Sequence, residues 1–149
     1  MYKTILVPLD GSKRAEAILP HVENLALSLK AKVILFKVAE PSFMLDYDEV
    51  IDMSTYLEKS DQQKKDADDY LTSLQEKFRA KGIEAQTLVG HGPVVKAIID
   101  AAEQENAKLL AMASHGHGGL LRTFYGSVAA GVLQRIDRPL LLIRSRRDG

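Results

Sequence analysis

A glycine-rich segment late in the chain has the residue types of an anion-binding loop. It reads Ser114-His115-Gly116-His117-Gly118-Gly119, and Gly126-Ser127 follow at the predicted start of a helix. Glycines let the main chain approach a ligand closely, and the first turn of a helix presents unpaired N–H groups. Charge-assisted hydrogen bonds of this kind contribute about 1.5–3 kcal/mol each, so a few can hold a phosphate without a basic patch. The pattern predicts a phosphate-binding loop; a plain connector with Ser127 as helix cap is the alternative.

Asp10 is the second residue with a chemical use, because it ends an apolar run at Asp10-Gly11-Ser12. A carboxylate at the end of a buried strand can accept both hydroxyls of a ribose, as the acidic residue of dinucleotide-binding folds does. On spacing alone, a turn residue is an equally good interpretation. A phosphoacceptor is less favoured, because no second acidic residue stands beside Asp10 to hold a metal.

Other chemistries fit these residues poorly. His115 and His117 have no third ligand nearby in sequence, so no metal site is predicted. Ser127 does not stand in the hydrolase motif G-x-S-x-G. The chain has no G-x-x-x-x-G-K-[ST], and Leu121 occupies the last position of a would-be G-x-G-x-x-G. The loop histidines are better interpreted as phosphate donors or as residues that face water.

Apolar runs and helical periods supply the elements that would position these groups. We predict buried strands at 4–10, 33–38, 84–89, 108–113 and 140–144. Apolar residues at helical spacing predict helices over 15–29, capped by Ser12, over 67–78 after a very polar start at 58–66, and over 95–102 and 128–136. Pro20 predicts a bend in the first helix rather than an end, because the period continues beyond it. The segments 39–54 and 114–125 are predicted to be long loops.

Strands that alternate with helices predict an α/β fold, a five-stranded parallel open sheet with helices on both faces. No linker, repeat or low-complexity tract divides the 149 residues, so we predict one domain over 1–149. In such sheets, ligands bind beyond the carboxyl ends of the strands, where the strand order reverses. The loops after Leu9, Val38, Val89 and Ala113 are therefore the expected site.

Composition limits the partners. Lys plus Arg and Asp plus Glu number 20 each, so no overall field draws the protein to nucleic acid or to an anionic membrane. The longest apolar runs are far below the roughly 20 residues of a membrane span, and the N-terminus has no secretory leader pattern. The absence of cysteine suits the cytosol without proving it. We expect a cytoplasmic protein that holds any anion through local contacts.

One signature joins the late loop to the last helix. Residues 113–116, the nine that follow, and Gly126-Ser127 resemble G-x-x-G, nine residues, G-[ST], the nucleotide-binding signature of the universal stress protein family. Ile5 to Ser12, the strand end Lys37-Val38, Gly90, and Arg138 to Ile143 extend the resemblance over the whole chain. It implies a Rossmann-like, adenine nucleotide alpha hydrolase-like domain of the ATP-binding branch, often dimeric, with ATP or a related nucleotide at the strand ends.

The resemblance also implies which residues contact the nucleotide: Pro8, Leu9, Asp10, Val38, Met112, Ala113, His115, Gly116, Gly126, Ser127 and Val128. Asp10 would hold the ribose, positions 8, 9 and 38 would line the adenine pocket, and positions 116 and 126–128 would meet the phosphates. Mg²⁺ would arrive with the triphosphate rather than in a protein cage. Ala113 stands where the signature has its first glycine, and a φ above zero there would strain an alanine by roughly 1 kcal/mol.

From the sequence, three functions stay open. The leading prediction is a homodimeric stress-response regulator that binds ATP, ADP or AMP and thereby changes a surface for an unknown protein partner. The second is a slow ATPase or self-phosphorylating enzyme, for which Arg122 is the loop's candidate contact to the γ-phosphate. The third is a dimeric interaction module with an empty site, paired through the apolar final strand at 140–143.

Overall fold

The computed structural model describes residues 1–39, 53–115 and 126–145. Within these ranges, strands and helices alternate along the chain as predicted. The elements are β1 (Thr4–Leu9), α1 (Lys13–Glu16), α2 (Leu19–Leu29), β2 (Lys32–Val38), α3 (Met53–Ala80), β3 (Ala85–Gly90), α4 (Val94–Gln104), β4 (Leu109–His115), α5 (Ser127–Arg135) and β5 (Leu140–Ser145).

The strands form one parallel sheet in the order β3-β2-β1-β4-β5. β1 pairs with β2 along its whole length, from Thr4↔Lys32 to Leu9↔Lys37. On its other side β1 pairs with β4 through Ile5↔Leu109 and Leu6↔Leu110. The strand order reverses between β1 and β4, so the carboxyl ends of these two strands flank the crevice in which such sheets bind ligands.

Both faces of the sheet are buried under helices. Because successive strand residues point to opposite faces, Ile5 and Val33 pack with residues of α2 and α3, whereas Leu6 and Ile34 pack with residues of α4 and α5. A strand covered on both sides needs an apolar residue at nearly every position, which is why these strands appear in the sequence as continuous apolar runs. The predicted parallel α/β sheet with helices on both faces is confirmed.

Pro20 divides the first predicted helix in two. α1 ends at Glu16, and α2 begins at Leu19 with Pro20 in its first turn. A proline has no N–H to donate, and in the first turn of a helix the N–H groups lack intrahelical partners in any case. The expected bend is therefore wrong: two separate helices share one apolar stripe.

Two predicted loops are shorter than expected. α3 begins at Met53, inside the segment predicted as a surface connection, and the rest of that segment, 40–52, lies outside the described residues. The early turns of α3 are exposed, including the large apolar residues Tyr56 and Leu57, so no buried apolar stripe marks them in the sequence. β4 extends to His115, which places Ser114 and His115 in the strand rather than in the loop. In the part of the chain described here, no helix is long and apolar enough to cross a membrane.

Candidate functional site

A cavity of about 410 Å³ opens beyond the carboxyl ends of β1, β2 and β4. Nine of the eleven predicted ligand-contacting residues line it: Pro8, Leu9, Asp10, Val38, Met112, Ala113, Gly126, Ser127 and Val128. Of the other two, His115 ends β4, and Gly116 lies outside the described residues. The volume is within the roughly 300–1,000 Å³ of ligand pockets, so the cavity can enclose a small organic molecule.

The lining differs in character between elements. β2 and α4 contribute apolar side chains, among them Phe36, Val38 and Ile98. The loop after β1 and the start of α5 contribute polar groups, Asp10 and Ser127. A ligand with one flat apolar part and one charged part would match this division.

The carboxylate of Asp10 is exposed at the end of β1 and is held through one of its oxygens. Oδ1 accepts hydrogen bonds from the backbone N–H of Ser12 at 2.8 Å and from its hydroxyl at 2.6 Å. The Oγ of Ser12 accepts in turn from the N–H of Ala15 at 3.2 Å and so caps α1. Oδ2 accepts no hydrogen bond from the described residues. Asp10 is thus both a turn residue and a carboxylate with an oriented oxygen available to a ligand.

The start of α5 offers free amides. Gly126 is the N-cap, with φ 81° and ψ 156°, a conformation that residues with a Cβ rarely adopt. Ser127 is the first helical residue, so the alternative in which its side chain caps the helix is wrong. The N–H of Ala130 donates to the carbonyl of Gly126, which leaves the N–H groups at 127–129 without intrahelical acceptors. Residues 127–129 line the cavity, and such amides are a ready anion-binding group.

Ala113 fits its position without backbone strain. Among the described residues other than glycine, a positive φ occurs at Lys30 and Asn106, and Ala113 lies within β4. The strain that an alanine would suffer at a φ above zero is therefore absent. The next residue, Ser114, is buried, and its hydroxyl donates to the carbonyl of Ile143 in β5 at 3.4 Å.

Phe36 and Lys37 are among the cavity residues that were not predicted from the sequence. Phe36 is buried in β2, and its ring is accommodated because Gly90 has no side chain: a Cβ there would lie 2.5 Å from the ring Cζ. Lys37 is half-buried at the end of β2, where it pairs with Leu9. A lysine in the apolar run 33–38 was the signal that could have identified it.

A hydrogen bond between helices fixes the surroundings of Asp10. The hydroxyl of Tyr70 in α3 donates to Oε2 of Glu16 in α1 at 2.8 Å. Burial, then this hydrogen bond and the negative charges of Glu16 and Asp10, raise the pKa of Tyr70 above its ordinary value. The phenol therefore remains a donor at neutral pH and ties α1, capped by Ser12, to α3.

Comparison with known proteins assigns the family. The sequence profile of the universal stress protein family matches residues 1–144. The chain belongs to the universal stress protein family. One family member, universal stress protein MJ0577 of Methanocaldococcus jannaschii, is 25% identical over 159 residues, covering 99% of this chain and 98% of its own. The solved structure of MJ0577 superposes with a TM-score of 0.80 at 26% identity, with 99% of each chain covered.

Two other solved universal stress proteins share the fold and hold a nucleotide. One is a complex with cAMP, with a TM-score of 0.69 and 20% identity over 97% of this chain and 98% of that one. The other, from Arabidopsis thaliana, has AMP bound, with a TM-score of 0.66 and 16% identity over 98% of this chain and 94% of that one. At these identities the likeness shows the common fold.

Proposed function

We propose that this universal stress protein binds an adenine nucleotide in the cavity beyond β1 and β4, and that the bound nucleotide serves regulation rather than fast turnover. One observation carries the proposal: the same cavity is lined by Asp10, whose Oδ2 accepts no hydrogen bond from the described residues, and by residues 127–129, whose N–H groups have no intrahelical acceptor. A carboxylate suits ribose hydroxyls, and helix N-terminal amides suit phosphates. The fold relatives that hold cAMP and AMP support the same ligand class.

The ligand would be ATP, ADP or AMP. We place the adenine among the apolar residues that include Pro8, Leu9 and Val38, and the ribose at Asp10. The phosphates would meet Gly116 and the residues at 126–128, while Met112, Ala113 and His115 would flank the ligand. Apolar walls around a base and fixed amides around an anion are the usual division of labour in such pockets.

Mg²⁺ fits this proposal as part of the nucleotide complex. Among the described residues, no group of three or more His, Cys, Asp or Glu side chains could hold a metal ion. Mg²⁺ commonly keeps several waters and is bound through substrate phosphates with one or two carboxylates. In this protein the phosphates and water would supply most of the ligands.

A homodimer through β5 is a further part of the proposal. β5 is an edge strand, and its residues Leu140–Ile143 are half-buried although they are apolar. A second copy pairing along this edge would cover them and would satisfy the open backbone groups in a two-fold arrangement. Sedimentation at twice the chain mass of 16.5 kDa would support the dimer, and a monomer at micromolar concentration would contradict it. The dimer would act in a cytoplasmic stress response, in which a protein partner recognises its nucleotide-bound form.

Calorimetric titration with ATP, ADP and AMP tests nucleotide binding. We expect saturable heat with the wild type and at least about tenfold weaker binding for Asp10→Ala, because a hydrogen bond to a charged group is lost. Asp61→Ala, at an exposed position of α3, removes the same charge away from the cavity and should bind as the wild type does. No heat and no thermal shift with any of the three nucleotides would contradict the proposal.

Slow hydrolysis is the enzymatic alternative to regulation by occupancy. Its candidate contact to the γ-phosphate, Arg122, lies outside the described residues. Release of inorganic phosphate from ATP, lost on Arg122→Ala or Ser127→Ala, would favour the enzyme.

A further inference from the structure

A second cavity, of about 290 Å³, lies beside the first, where the ends of β1 and β2 meet α3. Gly11, Lys37, Asp66 and Tyr70 are among its lining residues. Lys37 also lines the larger cavity. The two cavities therefore adjoin at this lysine.

The side chain of Lys37 lies on the α3 face of the sheet. Its strand neighbour Leu35 packs with α2 and α3, whereas Phe36 and Val38 pack with α4 and α5, and alternation places Lys37 with Leu35. The Cε of Lys37 would lie 3.5 Å from a Cβ built on Gly11. Its aliphatic part therefore passes over Gly11, immediately after Asp10.

The ammonium group of Lys37 forms no ion pair and donates no hydrogen bond within the ranges that the structure describes. Two carboxylates line the same cavities, Asp10 the larger one and Asp66 the smaller one. Oδ1 of Asp10 is engaged by Ser12. Asp66 is exposed, and its Oδ1 accepts from Nε2 of Gln62 at 2.8 Å, so water screens its charge. A half-buried cation that has no partner among the described residues and lines two cavities is suited to an anionic ligand group.

We infer that Lys37 binds a phosphate carried on the 2′ or 3′ oxygen of the ribose. The inference rests on the proposed function, since Asp10 places the ribose. Substituents on the ribose hydroxyls would be the ligand groups nearest Asp10. Gly11 follows Asp10 in the chain, and the side chain of Lys37 passes over Gly11. In dinucleotide-binding folds an acidic residue accepts the 2′ hydroxyl, whereas a nearby cation accommodates a 2′-phosphate. Here both kinds of residue stand together, and the second cavity gives the added phosphate room.

The experiment compares 5′-AMP with adenosine 2′,5′-bisphosphate and adenosine 3′,5′-bisphosphate by calorimetry. The wild type should bind one of the bisphosphates about tenfold more tightly than AMP, as one charge-assisted hydrogen bond would give. Lys37→Met keeps the unbranched apolar stem but removes the charge, so its affinities for AMP and for the two bisphosphates should be alike. Lys13→Met is the matched control: Lys13 is exposed at the start of α1 and lines neither cavity, so the preference should persist.

Equal affinity of the wild type for AMP and both bisphosphates would overturn the inference and leave the proposed function standing. A preference that survives in Lys37→Met would overturn it as well. If none of the three ligands binds, this inference fails, and the separate titrations with ATP and ADP decide whether the proposed function fails with it. Lys37→Arg keeps the charge and should keep the preference, which separates the role of the charge from any loss of folding in Lys37→Met.

Discussion

The ring of Phe36 lies where a side chain at Gly90 would have to go. A Cβ on Gly90 would be 2.5 Å from the ring Cζ and 2.7 Å from Cε2, closer than side chains approach one another. The two residues are on adjacent strands, since Val38 pairs with Gly90 and Phe36 with Leu88. Because Phe36 also lines the ligand cavity, the missing side chain at position 90 helps to set the shape of that cavity.

Gly90→Ala should both destabilise the fold and weaken nucleotide binding. The added methyl group would push the ring of Phe36 toward the cavity, and overpacking of this kind costs about 1–3 kcal/mol. Urea denaturation measures the first effect and calorimetry the second. Gly82→Ala is the control, since Gly82 has φ 82° and open space around it, so only backbone strain of roughly 1 kcal/mol is expected. Full affinity in Gly90→Ala would contradict this account of the cavity. Adding Phe36→Leu to Gly90→Ala should partly restore binding.

Arg138 should be a stability residue with no part in ligand binding. Its Nη1 donates to the carbonyls of Ala102 and Ala107, both at 2.9 Å, which joins the end of α4 to the start of β4. Arg138→Met removes a charged donor from two carbonyls, and we expect a loss of about 2 kcal/mol in the free energy of unfolding. Nucleotide affinity should not change, because these contacts lie at the amino end of β4, away from the cavity. A variant that folds as stably as the wild type would show that water replaces the guanidinium.

Asp137→Asn is the companion change and should have little effect on stability at neutral pH. The hydrogen bond from Arg138, followed by its positive charge, lowers the pKa of the Asp137 carboxyl. Because the pKa is lower in the folded state, the carboxylate stabilises the fold at pH values above its unfolded-state pKa. That contribution is lost as the pH falls through the folded-state pKa. Because the carboxylate is exposed to water, the contribution is small. A large loss of stability in Asp137→Asn at pH 7 would mean that Arg138 depends on Asp137 for its orientation.

The hydrogen bond from Tyr70 to Glu16 predicts a stability change in alkali. The raised pKa of Tyr70 means that the folded state favours the neutral phenol. Its contribution is therefore complete below the ordinary tyrosine pKa of about 10 and is lost as the pH rises through the raised value. Tyr70→Phe should lose roughly 1 kcal/mol at pH 7 and should show a shallower decline above pH 10. Urea midpoints from pH 7 to 11 measure this.

Glu16→Gln separates the charge from the hydrogen bond at the same site. The amide oxygen can still accept from Tyr70, so most of the stability at pH 7 should remain. Without the negative charge, the phenolate absorbance of Tyr70 should appear at lower pH than in the wild type, with Tyr70→Phe identifying its component. An unchanged titration would mean that the charge of Glu16 does not contribute to the raised pKa of Tyr70.

Ala113→Gly would restore the first glycine of the family signature without improving the site. Ala113 does not have a positive φ, so a glycine relieves no strain there and raises the entropy of the unfolded chain. We expect a loss of about 0.5–1 kcal/mol in stability and an unchanged affinity for AMP and ATP. A tighter complex in Ala113→Gly would show instead that the methyl group obstructs the ligand.

The strands and their burial on both faces could be predicted from the sequence, because a parallel strand covered on both sides is a continuous apolar run. The ends of helices were harder to predict where backbone conformation, rather than side-chain pattern, determines where the helix begins. Pro20 leaves the apolar period unchanged whether it bends one helix or begins another. The first turns of α3 are exposed and have no buried apolar stripe. At α5, Gly126 rather than Ser127 is the cap, because only the glycine accepts the positive φ.

Residues of the candidate site were predictable when they follow a strand and escaped prediction when they lie within one. Asp10, Gly126 and Ser127 stand next to glycines or at turns, where the residue type points to a ligand. Phe36 looks like an ordinary core residue in the sequence. Its place in the cavity depends on which strands are neighbours and on the absence of a side chain at Gly90, both of which are three-dimensional facts.

The pairing of β1 with β4 has a mechanical consequence. Ile5↔Leu109 and Leu6↔Leu110 join these strands near their amino ends, whereas β1 and β2 are paired as far as Leu9 and Lys37. The backbone pairing between β1 and β4 thus covers only the amino-terminal part of these strands, and their carboxyl ends are not paired with each other. A ligand that contacts both Asp10 and Gly126 would link the carboxyl ends of β1 and β4. Binding should therefore slow amide hydrogen exchange along these two strands.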